Sequence, residues 1–278
     1  MKSIRVFFAA MIFLLLTFIT FHARAQDSAS GAKRVNGAAI ASEIVDRWAN
    51  SFAQSHPDNR VLVIGSSTGK GFSALLEKQA EMALATRPIS NAELKTAQEK
   101  GIKLANRPVG YAGVAIYTSP RNPVNELSLD QLRKIFTGQV NNWNQLGGPD
   151  APIRYFSRRM PESGAVVFFW EKVLDQEPFG KNIVFTENWS TILKACSNGE
   201  EIAIGLGPVP LGGNKSGAKL LAIKKDEQSA AVLPSEETLR NKSYPIILQF
   251  QFYWDSQTSD RGVLEFVEYS EKMGLGLN

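Results

Sequence analysis

Two loops rich in hydroxyls and glycine, each leading from a strand-like run into an apolar helix-like run, constrain this chain most. The first is Gly65-Ser66-Ser67-Thr68-Gly69-Lys70-Gly71, between the strand-like Arg60–Ile64 and the helix-like Phe72–Leu84. The second is Arg158-Arg159-Met160-Pro161-Glu162-Ser163-Gly164, between Ile153–Phe156 and the apolar Ala165–Leu174. A strand that turns through small residues into a helix leaves backbone N–H groups unpaired at the helix start, where the macrodipole favours negative charge. Arg87, Arg158 and Arg159 add forked donors suited to an oxyanion. Ser and Gly also serve ordinary turn geometry, so one such loop is ambiguous. Two of them, 95 residues apart from Gly69 to Gly164, predict an anion held between two lobes.

The rest of the chain alternates strand and helix patterns. Ile40, Ile44, Val45, Trp48 and Phe52 recur at helical spacing across Ala38–Ser55, which His56-Pro57-Asp58-Asn59 closes as a turn. Asn91 is a candidate cap for Asn91–Lys100, and Ser128 caps Leu129–Phe136 with Asp130 well placed in its first turn. Short strands are expected at Ala83–Arg87, Gly113–Thr118, Ile202–Gly205, Lys219–Ile223 and Pro245–Tyr253, with helices at Ser190–Ser197 and Gly262–Met273. This alternation predicts an α/β fold with mainly parallel sheets. Two sheets joined by extended crossovers explain why the two loops come from different halves. The expected division is 26–110 for the first lobe, 111–215 for the second, and 216–278 returning to the first.

The amino terminus has the form of a secretory signal over residues 1–25. Lys2 and Arg5 precede the 16-residue apolar run Val6–Phe21, and Ala23-Arg24-Ala25 is a small-x-small cleavage site. The run is shorter than the roughly 20 residues that span a bilayer, which disfavours the alternative of an uncleaved anchor. Removing Lys2, Arg5 and Arg24 leaves 28 basic against 27 acidic residues, so the net charge falls from +4 to +1. The basic isoelectric point therefore overstates any pull toward polyanions, and no Lys/Arg run with interleaved aromatics marks a nucleic-acid surface. Cys196 is the only cysteine, so no intrachain disulfide is possible, and its expected role is that of a small buried apolar residue.

Catalytic chemistry finds few residues. The Gly69-Lys70 pair has Ile64 where a phosphate-binding P-loop needs its first glycine, and Gly71 where it needs Ser or Thr. Gly69-x-Gly71-x-x-Ala74 formally matches a dinucleotide fingerprint, but four residues separate it from the strand end at Ile64. His56 is the only histidine left after signal removal and lies in a polar turn, so no Ser-His-Asp or Cys-His arrangement suggests itself. Zinc ligands are lacking. Glu200-Glu201 and Glu236-Glu237 fit solvated faces better than a glycosidase pair. Trp143 and Trp189 fit packing roles. No enzyme, metal or cofactor is expected.

From about Val35 to Gly274 the chain resembles the phosphate-binding periplasmic proteins of ABC importers (PstS-like). The resemblance is carried by Asn122-Pro123-Val124, Leu127-Ser128-Leu129-Asp130-Gln131-Leu132, Ile135-Phe136-Thr137-Gly138, Asn142-Trp143 and Leu146-Gly147-Gly148. Gly65-Ser66-Ser67, Ala85-Thr86-Arg87-Pro88-Ile89, Arg159 with Ser163-Gly164, Ala203-Ile204-Gly205 and Tyr244-Pro245-Ile246 follow in the family's order. It implies a two-lobed type II periplasmic-binding fold that closes on phosphate held by loop N–H groups, hydroxyls and an arginine. On matching positions these roles fall to Ser66, Arg159, Ser163 and Gly164, with Ser67 and Thr68 adjoining and Arg87 where the family's best-known members place an acidic acceptor.

Three positions depart from that pattern. Gly37 is followed by Ala38 and Ala39 instead of a hydroxyl, Ala165 stands where threonine is common, and the acidic acceptor is absent. Ala39 retains its backbone N–H as a donor. A hydrogen bond to a charged group contributes about 1.5–3 kcal/mol, so two lost hydroxyls would weaken a micromolar site by roughly 3–6 kcal/mol, toward millimolar. The expected function is periplasmic capture of an oxyanion, inorganic phosphate first, by a monomer that delivers it to an inner-membrane ABC permease. The alternative is a two-lobed binding or sensor module whose anion site has decayed.

Overall fold

The computed structural model of the protein describes residues 31–160, 163–198, 201–211 and 213–275. The expected signal segment and Pro161-Glu162 of the second loop lie outside them. Strand β1 (Lys33–Ala38) runs parallel between β2 (Val61–Ser66) and β3 (Met82–Ala85). Helix α1 (Ala39–Ser55) follows β1 directly and buries Ile40, Ala41, Val45, Ala49 and Phe52, as the apolar spacing requires. Helix α2 (Thr68–Leu76) follows β2, and α3 (Asn91–Glu99) follows β3.

The expected helix over Phe72–Leu84 is shorter. It ends at Leu76, where Lys78 takes a left-handed φ of 56° and the Gln79 N–H donates back to the Ala74 carbonyl. The apolar residues beyond form β3, buried at all four positions. A continuous apolar run suits either element, and length alone does not separate them.

The long strand β4 (Leu104–Thr118) joins the two halves. Up to Gly113 it pairs antiparallel with β11 (Ile247–Asp255), which also pairs antiparallel with β3. From Val114 onward it pairs antiparallel with β8 (Ala203–Pro208). Beyond β8 lie β6 (Arg154–Arg158) and β7 (Ile183–Thr186), both parallel to it through β6. The sheet order is β2-β1-β3-β11-β4-β8-β6-β7. Each half thus has a set of parallel strands, as the alternation suggested, and the two sets are joined through the antiparallel strands β11 and β4. β4 and β11 are consecutive in space but far apart in sequence, which no local pattern reports.

The second half continues with β5 (Glu126–Ser128), α4 (Leu129–Phe136), a 3-10 turn at Trp143–Leu146, α5 (Gly164–Lys172) and α6 (Trp189–Ser197). Short β9 (Lys219–Leu220) pairs with Tyr117 and Thr118 of β4, and β10 (Ala222–Lys224) pairs with β5. The segment expected to return at 216 therefore still pairs with the second half through residue 224. It goes back through α7 (Glu236–Arg240), β11 and α8 (Arg261–Leu275). Tyr244 fastens this return by donating its hydroxyl to the Val114 carbonyl at 2.9 Å.

Aromatic side chains fill both cores. Phe52 meets Phe266 edge-on at 5.3 Å in the first half, and Phe136 meets Phe169 at 5.1 Å in the second. All four are essentially inaccessible, positions where truncation to alanine costs about 3–5 kcal/mol. Trp143 is equally buried and donates to the Ile202 carbonyl at 2.8 Å, a packing role. Cys196 is buried, and burial pushes its thiol up to about 12, so it is an inert core residue.

Candidate functional site

Three helix starts point into one place. Ala38, Ala39 and Ile40 open α1, Ser66 and Ser67 precede α2, and Ser163, Gly164 and Ala165 open α5. With Thr86 and Arg158 they wall an inner cavity of about 10 Å³, room for roughly one water-sized group. The first half supplies α1, α2 and Thr86; the second supplies α5 and Arg158. The clamp expected from the two loops is present, and it has a third arm that follows β1.

Local sequence explains why these starts stay bare. The Ala38 cap of α1 has no side chain able to accept, and Ser163 makes no cap bond to α5. Ser67 accepts from the Lys70 N–H at 3.3 Å, which still leaves the Thr68 and Gly69 donors of α2 without intrahelical partners. None of the three first turns holds an acidic residue. Each start therefore keeps its partial positive charge facing the cavity.

Close packing sets the geometry. Gly71 lets α2 lie on β1, because a Cβ there would stand 2.5 Å from the Asn36 carbonyl oxygen. A Cβ at Gly164 would overlap the Thr86 hydroxyl and crowd that of Thr68 at 3.2 Å. The two halves already touch at the cavity floor. Thr68 braces this contact: its Oγ1 accepts from the Thr86 N–H at 3.2 Å and shares a hydroxyl bond with Thr86 at 3.2 Å. Ser66 donates to Asn36 Oδ1 at 2.5 Å, which holds its oxygen at the cavity edge.

Two arginines stand differently from expectation. Arg87 faces away from the cavity. Its guanidinium makes two bonds of 2.9 Å to Glu93 and lies 5.5 Å over the Phe72 ring. Burial opposes the charge on Glu93, but the bonds from Arg87 and Ser90 prevail and hold its carboxyl below the usual range. Thr86, one step earlier in the bend that follows β3, takes the place at the cavity instead. Neighbouring side chains also part at the end of β6, where successive residues of a strand point to opposite sides. Arg158 reaches the inner cavity, with its guanidinium 5.3 Å over the Trp189 ring. Arg159 lies 5.4 Å over the Phe185 ring and lines only an outer cleft. Asn36 and Thr86 are thus site residues that the loop motifs did not single out, whereas Arg158 was one of the three arginines named beside the loops.

The outer cleft opens beyond the inner cavity with a volume of about 400 Å³. It shares Ala39, Ser66, Ser67 and Arg158 with the cavity and adds Lys70, Arg159 and the segment Thr186–Trp189. The charged side chains lining it are Lys70, Arg158 and Arg159 against Glu187. His56 stacks on Phe52 at 4.1 Å and lines neither space.

The profile of the PBP superfamily domain matches residues 22–271. The chain belongs to the PBP superfamily. A Staphylococcus haemolyticus protein named phosphate-binding protein PstS is 27% identical over 247 residues, which cover 86% of this chain and 76% of the relative. The fold matches that of a protein from Clostridium perfringens assigned as a phosphate ABC transporter substrate-binding protein and solved with bound phosphate. That match has a TM-score of 0.70 at 24% identity over 86% of this chain and 92% of the other. An ABC-type phosphate transport receptor from Vibrio cholerae follows with a TM-score of 0.61 at 23% identity, covering 86% and 93%. The two-lobed type II periplasmic-binding architecture of this PBP-superfamily chain is therefore shared with these structures, and the clamp of helix starts lies between its two halves.

Proposed function

We propose that the protein captures an oxyanion, inorganic phosphate first, and releases it unchanged to an ABC permease in the inner membrane. The observation that carries this reading is the meeting of three acid-free helix starts from both halves on one small cavity beside Arg158. A tetrahedral anion seated where the cavity joins the outer cleft receives N–H groups from α1, α2 and α5. It also receives the hydroxyls of Ser67 and Ser163, and that of Ser66 once its proton turns from Asn36 to the anion. Arg158 supplies neutralising charge at the floor, and Arg159 supplies it from the cleft side. Bonds to charged groups contribute about 1.5–3 kcal/mol each, so a few well-aimed donors suffice for micromolar affinity without a hydroxyl at Ala39 or Ala165.

Among the described residues no histidine or thiolate stands beside the cavity hydroxyls to activate one as a nucleophile. His56 and Cys196 lie away from them, His56 stacked on Phe52 and Cys196 buried. Binding without turnover follows. The secretory form of the amino terminus and the names of the relatives support a periplasmic place of work and an importer as partner. Isothermal titration of the mature chain with phosphate and sulfate tests the proposal. Saturable heat with one site per chain is the expected result. Flat titrations with both anions would remove the transport reading and leave the degenerate-module alternative standing.

A further inference from the structure

The inner cavity does not use up the space between the halves. Some 400 Å³ of cleft remains open beyond it while Gly164 already lies against Thr86 and Thr68 at the floor. The halves thus meet at the floor while the cleft above it stays open. A lone tetrahedral ion bound among the helix starts would leave most of it to solvent.

Its charged groups are also more than such an ion needs. Lys70 projects from the first turn of α2 in the first half. Arg159 stands at the end of β6 in the second half, steadied over the Phe185 ring. Neither takes part in an ion pair among the described residues, unlike Arg87, whose guanidinium is held by Glu93. The carboxylate on the cleft wall, Glu187, is exposed. Two cations from opposite halves thus face one cleft that opens on an anion-binding floor.

We infer that the cleft binds a small molecule with two anionic groups, a tetrahedral one at the helix starts and a second one held between Lys70 and Arg159. This rests on the oxyanion reading above and narrows its ligand class. A second anionic group drawn by cations on both halves would add a further contact across the cleft to the one that a single ion makes at the floor.

Titration of the mature chain with orthophosphate, methyl phosphate and pyrophosphate, at one pH and ionic strength, tests the inference. Methyl phosphate fills space without adding a second anion. Pyrophosphate is expected to bind at least about tenfold more tightly than either, the effect of one further charge-assisted contact. Lys70→Ala should erase most of that preference while orthophosphate affinity stays within about twofold, as for a site outside the floor. Pyrophosphate binding no tighter than orthophosphate overturns the inference and leaves the oxyanion reading intact. A Lys70→Ala chain that keeps the full preference overturns it too. Silence toward all three probes removes both readings together.

Discussion

The three helix starts that meet at the inner cavity and the starts of α3, α4 and α7 are built to opposite rules. Away from the cleft, α3, α4 and α7 begin with reciprocal caps: Ser90 with Glu93, Ser128 with Gln131, and Ser235 with Thr238. Their first turns also carry Glu93, Asp130, or Glu236 with Glu237. At the inner cavity, α1 and α5 have no side-chain cap, α2 has a single bond to Ser67, and none of these three first turns holds an acid. A missing cap costs about 0.5–2 kcal/mol. The chain bears that cost at the starts that meet, where an internal carboxylate would compete with an external anion. Stability and binding therefore draw on the same orphan donors, and the two sets of helices spend them differently.

The hardest test of this contrast is to give a cleft start the acid that the others have. Ala39→Asp should lower anion affinity more than about a hundredfold, since like charges about 4 Å apart repel by roughly 4 kcal/mol at a protein surface. Thermal stability should hold or rise, because an acid in a first turn favours the helix by about 0.3–1 kcal/mol. Calorimetric titration and a melting scan on one sample read both effects; unchanged affinity would show that α1 does not face the ligand.

Gly164→Ala tests the contact of the halves. Its methyl must displace the Thr86 hydroxyl, and such overpacking costs about 1–3 kcal/mol, near tenfold or more in affinity. Adding Thr86→Ala should recover part of that loss, and no recovery would place the defect elsewhere. A smaller effect is expected on the capped side. Ser128→Ala should lower stability by about 1 kcal/mol, a fall in Tm of about 2–4 °C, without changing anion binding. A change in affinity there would blur the division between the two sets.

Acid titration sharpens the capped side further. The folded pKa of Glu93 lies below its ordinary 4.5, so its contribution is complete above that value and fades as pH falls through the lower, folded pKa. Glu93→Gln should flatten the acid limb of a stability-against-pH curve, and an identical limb would show that the Arg87 pair contributes nothing. The smallest effect belongs to Arg87→Ala. Half-exposed ion pairs contribute about 0–1 kcal/mol to stability, and affinity should stay within about twofold because the side chain points away from the cavity. A large loss of binding would return Arg87 to the site.

Much of the second loop was legible for a local reason. Ser163 and Gly164 must sit at a helix start wherever the apolar run after them is helical. The caps at Ser128 and the helix of α1 follow from the same short-range spacing. What misled was parity. Composition does not separate Arg159 from Arg158, or Arg87 from Thr86, although each pair differs by a single step along the chain and only Thr86 and Arg158 line the inner cavity. A run of charge and hydroxyl names no side of a strand until the neighbours on both faces are known. The end of α2 failed similarly, because the apolar residues after Leu76 suit a buried strand as well as a helix.

Local chemistry thus settled that strands lead through small residues into helices and that some of those helices would begin without an acid. Convergence was decided at longer range. The β4 strand changes partner from β11 to β8 between Gly113 and Val114, and that exchange brings α5 against α1 and α2. Capping and periodicity act within a few residues, whereas a shared cavity needs strands more than 100 positions apart in the chain to pair, Ile247 with Gly113 among them. That pairing is a property of the packed sheet and of no single segment.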